Sequence, residues 1–183
     1  MKAALILICL AAACASAYAE PTGLEPYYPG VEFKAGDGPI VIEDGDSFWI
    51  GIHRVRLLGI DTVEPNQPCE GASQTVDCHG MTMQFVSGLF ESPSLVCQLH
   101  MGKEGLPLMD DGRYISTCFV GGKELNRMLV EEGFAVAYDP KTSEVYTKAE
   151  AVARAKHKGL HKYKFEDPIE YRRRGRTNSC PAQ

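Results

Sequence analysis

The chain has 183 residues, a length that suits one domain with processing segments attached. It carries 24 acidic against 19 basic residues, a net charge of −5, so no bulk positive charge marks it as a nucleic-acid binder. Its apolar run at 3–13 is too short for a membrane span.

Lys2, that apolar run and the small-x-small site Ala17-Tyr18-Ala19 read as a secretory signal peptide over 1–19, cleaved near Ala19. The expected product is secreted or periplasmic. It carries 18 basic and 24 acidic residues, or −6. A flexible leader over 20–30 holds three prolines and two glycines. Strand-like stretches follow at 31–35, 40–42, 47–52 and 53–60, broken by Gly36-Asp37-Gly38-Pro39 and by the turn Asp44-Gly45-Asp46. Met81, Phe85 and Leu89 recur at helical spacing, which predicts a helix over 78–91 that stops before Pro93. Strands are expected at 94–99 and 114–120. A short helix at 124–132 ends at Gly133 with Leu125, Met128 and Leu129 inward. Thr147-Lys148-Ala149-Glu150 fits a capping box opening a last helix that runs to Lys158.

Five or six short strands with a few helices suit an α+β, mainly β domain: an OB-fold-like, five-stranded Greek-key barrel with about three helices over 31–173. A C-terminal tail would occupy 174–183. Between 148 and 176 lie ten Lys/Arg and four acids, with Tyr163, Phe165 and Tyr171 interleaved. This stretch is either a solvated helix and tail or a phosphate-binding stripe.

Export gives the cysteines meaning. With Cys9 and Cys14 gone, Cys69, Cys78, Cys97, Cys118 and Cys180 remain. Cys69–Cys78 would clip a loop and Cys97–Cys118 would join two predicted strands, leaving Cys180 over; buried free thiols are the alternative.

The chemistry concentrates in Asp44-Gly45-Asp46 and in the stretch from Arg56 through Asp61 to Glu64. Antiparallel pairing of the two strands brings Asp46 to Asp61. A hard, oxygen-seeking cation could sit between them, Arg56 could grip a phosphate, and Glu64 could handle a proton. An EF-hand is excluded, because its twelfth position counted from Asp44 is Val55. The five histidines show no zinc-ligand spacing.

These motifs, with Gly112-Arg113-Tyr114, Leu125-Asn126, the Gly133–Tyr138 block and Glu170-Tyr171-Arg172-Arg173, resemble the staphylococcal nuclease (thermonuclease) family across 38–173. The resemblance implies a calcium ion held by Asp46, Asp61 and the main-chain oxygen of Thr62. It implies Arg56 and Arg113 on the scissile phosphate, Glu64 near the attacking water, and Tyr138 stacking on a base or bonding a phosphate. The implied activity is secreted, calcium-dependent, sugar-nonspecific endonuclease action on DNA and RNA, by a chain expected to be a monomer. Val63 stands where the family has proline. The approach Met109-Asp110-Asp111-Gly112-Arg113 lacks a tyrosine and a basic residue, which implies weaker substrate binding, altered preference, or both. The alternative from another class is a catalytically silent OB-fold module that binds nucleic acid or protein without cutting.

Overall fold

A computed structural model describes residues 27–91, 94–138 and 144–178. The expected signal peptide, the start of the leader, Cys180 and the end of the tail lie outside these residues. In chain order the strands are β1 (Tyr27–Lys34), β2 (Ile40–Asp44), β3 (Ser47–Ile50), β4 (His53–Leu57), β5 (Ile60–Asp61), β6 (Cys69–Glu70) and β7 (Thr75–Val76). Helix α1 (Cys78–Phe90) leads to β8 (Val96–His100), β9 (Met109–Asp110), β10 (Arg113–Val120) and β11 (Lys123–Glu124). The chain continues through α2 (Leu125–Glu131), β12 (Val136–Ala137), α3 (Glu144–Ala155), β13 (Lys164–Phe165) and α4 (Pro168–Asn178).

The main sheet runs β1-β8-β10-β4-β3-β2, with β4 parallel to β10 and the other neighbours in that order antiparallel. It curls into a half-barrel of OB-fold type, with four α-helices among the described residues. Phe48, Ile50, Val55 and Leu57 alternate inward from β3 and β4 and meet Val86 of α1 and Leu125 and Leu129 of α2. Both disulfides form as expected: Cys69–Cys78, and Cys97–Cys118, which are paired across β8 and β10 with Cα atoms 4.0 Å apart.

Three local departures have physical causes. The strand expected over 53–60 breaks after Leu57, because Gly59 adopts φ 72° and turns the chain so that β5 pairs with β12 instead. The most buried face of α1 is Cys78, Thr82 and Val86; the predicted stripe flanks it, with Phe85 stacked on Phe134 at 4.2 Å. Thr147 does not cap α3. Thr147 lies inside α3, which already includes Glu144; Tyr146 is buried in the core, Val145 packs against it, and Glu150 accepts a hydrogen bond from the Ala137 amide at 2.8 Å. Helix α4 continues to Asn178, past the point where the sequence suggests a tail.

A buried amide ties the fold to the site. Asn126 of α2 accepts from the Cys118 amide at 3.0 Å and donates to the carbonyls of Leu58 (3.0 Å) and Ser116 (3.2 Å). Together with the Tyr138 amide donating to the Gly59 carbonyl at 2.9 Å, it fixes the turn that delivers Asp61.

Candidate active site

Asp46 lies in the tight turn between β2 and β3, and Arg56 lies on β4 in register with Ser47. Two strands therefore set the pair. The Arg56 Nη1 is 2.8 Å from Asp46 Oδ2, and its Nη2 is 3.4 Å from Asp61 Oδ1. Asp46 is 2% and Asp61 1% exposed, so each would be costly as an unpaired charge. Burial is the main cause that pushes the Asp46 carboxyl up to about 6; Asp61 and Asp44 add to it, while Arg56 and the Ser47 hydroxyl oppose it. Asp44 is also raised, again chiefly by burial.

Buried Thr62 follows β5 and lies against the turn: a Cβ on Gly45 would fall 2.8 Å from Thr62 Oγ1 and 2.6 Å from Thr82 Cγ2. Only glycine allows this approach, which brings Asp46 and Asp61 to one edge. Glu64 comes next, its amide held by Gln67 Oε1 at 3.0 Å, while Gln67 Nε2 donates to the Glu166 carbonyl at 2.7 Å. Val63 is 2% exposed and packs with Cys69, Cys78 and Leu160, so the loop is anchored by burial.

Arg113 reaches the same edge from β10. Its Nη1 donates to Ser47 Oγ at 3.2 Å, and Ser47 Oγ donates to Asp46 Oδ1 at 2.8 Å. Its Nη2 is 2.8 Å from Asp110 Oδ2, which also lies 3.6 Å from Arg56 Nε. Half-exposed Tyr138 stands over Arg56, ring centroid to guanidinium 5.9 Å. The structure thus gathers Asp46, Asp61, Thr62, Glu64, Arg56, Arg113 and Tyr138 around one rim.

Sequence reasoning missed one member. Arg172 of α4 donates to both oxygens of Asp61, Nη1 to Oδ1 at 2.9 Å and Nη2 to Oδ2 at 2.6 Å, and also to Glu64. These carboxylates raise its pKa, the hydrogen bond to Asp61 most of all. The run Glu170-Tyr171-Arg172-Arg173 was the available signal, but nothing local tells which arginine turns inward. A cleft of about 320 Å³ beside it is lined by Glu64, Pro65, Tyr171, Arg172, Arg174 and Gly175.

The sequence of 54–163 matches the family model described as staphylococcal nuclease homologue. The chain belongs to that family. Its domain is of nuclease type, in line with the curled sheet and the clustered charges. It is also 29% identical over 147 residues to the succinoglycan biosynthesis protein ExoI of Rhizobium meliloti (strain 1021), covering 79% of this chain and 74% of that one.

The donor set suits a hard cation: Asp46, Asp61 and the neighbouring main chain offer oxygen alone. Among the described residues no three carboxylate, imidazole or thiol side chains form a metal cage, so main-chain oxygen and water would have to complete the aspartate pair. No described helix is long and apolar enough to cross a membrane.

Proposed function

We propose that this protein is an exported, calcium-dependent endonuclease that hydrolyses phosphodiester bonds of DNA and RNA without discriminating the sugar, and that it acts as a monomer. The observation that carries the reading is the convergence of Arg56 and Arg113 on the buried Asp46, one directly at 2.8 Å and one through Ser47. The two disulfides favour an oxidising compartment, as the N-terminal sequence does.

A phosphodiester resists attack because its charge repels nucleophiles. Arg56 and Arg113 would turn from Asp46, Ser47 and Asp110 onto its non-bridging oxygens, where planar two-point donors match the charge that develops. Glu64 would orient or deprotonate the attacking water. Asp46, Asp61 and the Thr62 carbonyl would hold calcium, which supplies positive charge beside the phosphate when bound. Tyr138 would carry a neighbouring base or phosphate at the rim. These groups address phosphate and water rather than base edges, which is the physical basis for indifference to sequence and sugar.

The test is to incubate oxidised protein with plasmid DNA and with RNA, in calcium and in chelator. Loss of both substrates in calcium and of neither in chelator is expected. Binding of nucleic acid with no cutting under any divalent ion would favour the silent module instead.

A further inference from the structure

Each carboxylate oxygen of Asp46 and Asp61 is already taken by a donor of the protein. Asp46 Oδ1 accepts from Ser47 and its Oδ2 is ion-paired with Arg56, whereas both oxygens of Asp61 accept from Arg172. Arg172 extends the same grip to Glu64. A guanidinium thus stands as counter-cation on the edge that the nuclease reading assigns to a divalent ion. A divalent ion seated there would meet Arg172 at close range, and their repulsion is strong where Asp61 is 1% exposed and water screens little.

The element bearing Arg172 is lightly fastened. Along 168–175 only Pro168 is buried. Besides Arg172, α4 and the turn before it are held by Tyr171 Oη donating to the Asn66 carbonyl at 3.2 Å and by the Gln67 amide donating to the Glu166 carbonyl at 2.7 Å. Arg173 pairs with Glu170 and Arg174 with Glu166, both within the same segment. The Arg172 seat is a polar attachment of α4 to the barrel, and it falls on the residues a metal would need.

We propose that Arg172 is a built-in competitor of the divalent cation, and that α4 is an autoinhibitory latch which must release Asp61 and Glu64 before the ion binds. This rests on the calcium site of the nuclease reading. Two events that use the same oxygens are linked reciprocally: a docked α4 lowers cation affinity, and the cation weakens the dock. An undocked α4 of 11 residues is too short to stay helical alone, so release is visible as fraying.

Calorimetric titration of calcium into oxidised wild type, Arg172→Gln, Arg172→Lys and Arg173→Gln tests the competition. Arg172→Gln is expected to bind calcium roughly tenfold more tightly or better, since a charge-assisted contact is removed from the competing state. Arg172→Lys, with the charge but not the two-point grip, should fall between. Arg173→Gln, which removes the same charge one residue away, should match wild type. Amide hydrogen exchange over 168–178 should speed up on adding calcium to wild type and be fast in Arg172→Gln with or without it. Wild-type affinity in Arg172→Gln, or an α4 that keeps its protection in saturating calcium, overturns the latch. If no form binds calcium, the metal reading itself fails and takes the latch with it.

Discussion

Oδ2 of Asp110 lies 2.8 Å from Nη2 of Arg113 and 3.6 Å from Nε of Arg56, so one carboxylate stands between the two guanidiniums of the candidate site. Asp110 would compete with substrate phosphate for both. Asp110→Asn is expected to lower KM for an oligonucleotide roughly twofold to fivefold, the weight of a half-exposed ion pair, with kcat little changed. Steady-state kinetics at fixed salt decide it. A raised KM would mean that Asp110 aims Arg113 rather than competing for it.

Asn126 is expected to be the most sensitive polar position of the core. Asn126→Ala leaves the Cys118 amide and the Leu58 carbonyl without this partner, at a cost of about 1–3 kcal/mol for each group stranded, while the Ser116 carbonyl keeps the Leu58 amide at 2.9 Å. Urea denaturation should show a lower midpoint. Activity should fall as well, because the Leu58–Gly59 turn places Asp61. A midpoint equal to that of wild type would show that water takes over these bonds.

The barrel and most of the site could be read from the sequence because they depend on local pattern. Alternation placed β3 and β4, the latter carrying Arg56, and Asp44-Gly45-Asp46 placed the turn that holds Asp46. What stayed hidden depends on contacts between distant segments. Arg172 reaches Asp61 across 111 positions, and nothing in a basic run distinguishes the arginine that turns inward from those that stay in water. Thr147 lies within α3 rather than capping it for the same reason: Tyr146 is drawn into the core by tertiary packing, which overrides the local capping signal. Burial of Asn126 ran against expectation for a polar side chain and is explained only by the three backbone groups it serves.

His161 gives the fold a pH-dependent weakness. It is buried against Phe165 with neither ring nitrogen bonded among the described residues, and burial holds its pKa below the usual 6.5, helped by Arg154 and opposed by Glu150. Above pH 6.5 it is neutral folded and unfolded, and contributes no slope. As pH falls below that value the unfolded chain takes up a proton that the folded chain resists, so stability drops until the lower folded pKa is passed. His161→Phe is expected to stabilise the protein by about 1–3 kcal/mol at neutral pH, because unpaired buried nitrogens are removed, and by more in acid. Urea midpoints of the two proteins across pH 5–8 measure this. A constant gap between the curves would contradict it.

The central claim, that paired guanidiniums beside buried aspartates make this rim a phosphodiesterase centre, is tested most directly at Arg113. The measurement is the single-turnover rate at which Arg113→Lys cleaves a labelled oligonucleotide in saturating calcium, beside its affinity for the same oligonucleotide. An ammonium keeps the charge but loses the planar two-point contact, so a rate ~100-fold lower with binding largely retained is expected. Cleavage at the wild-type rate would contradict the account.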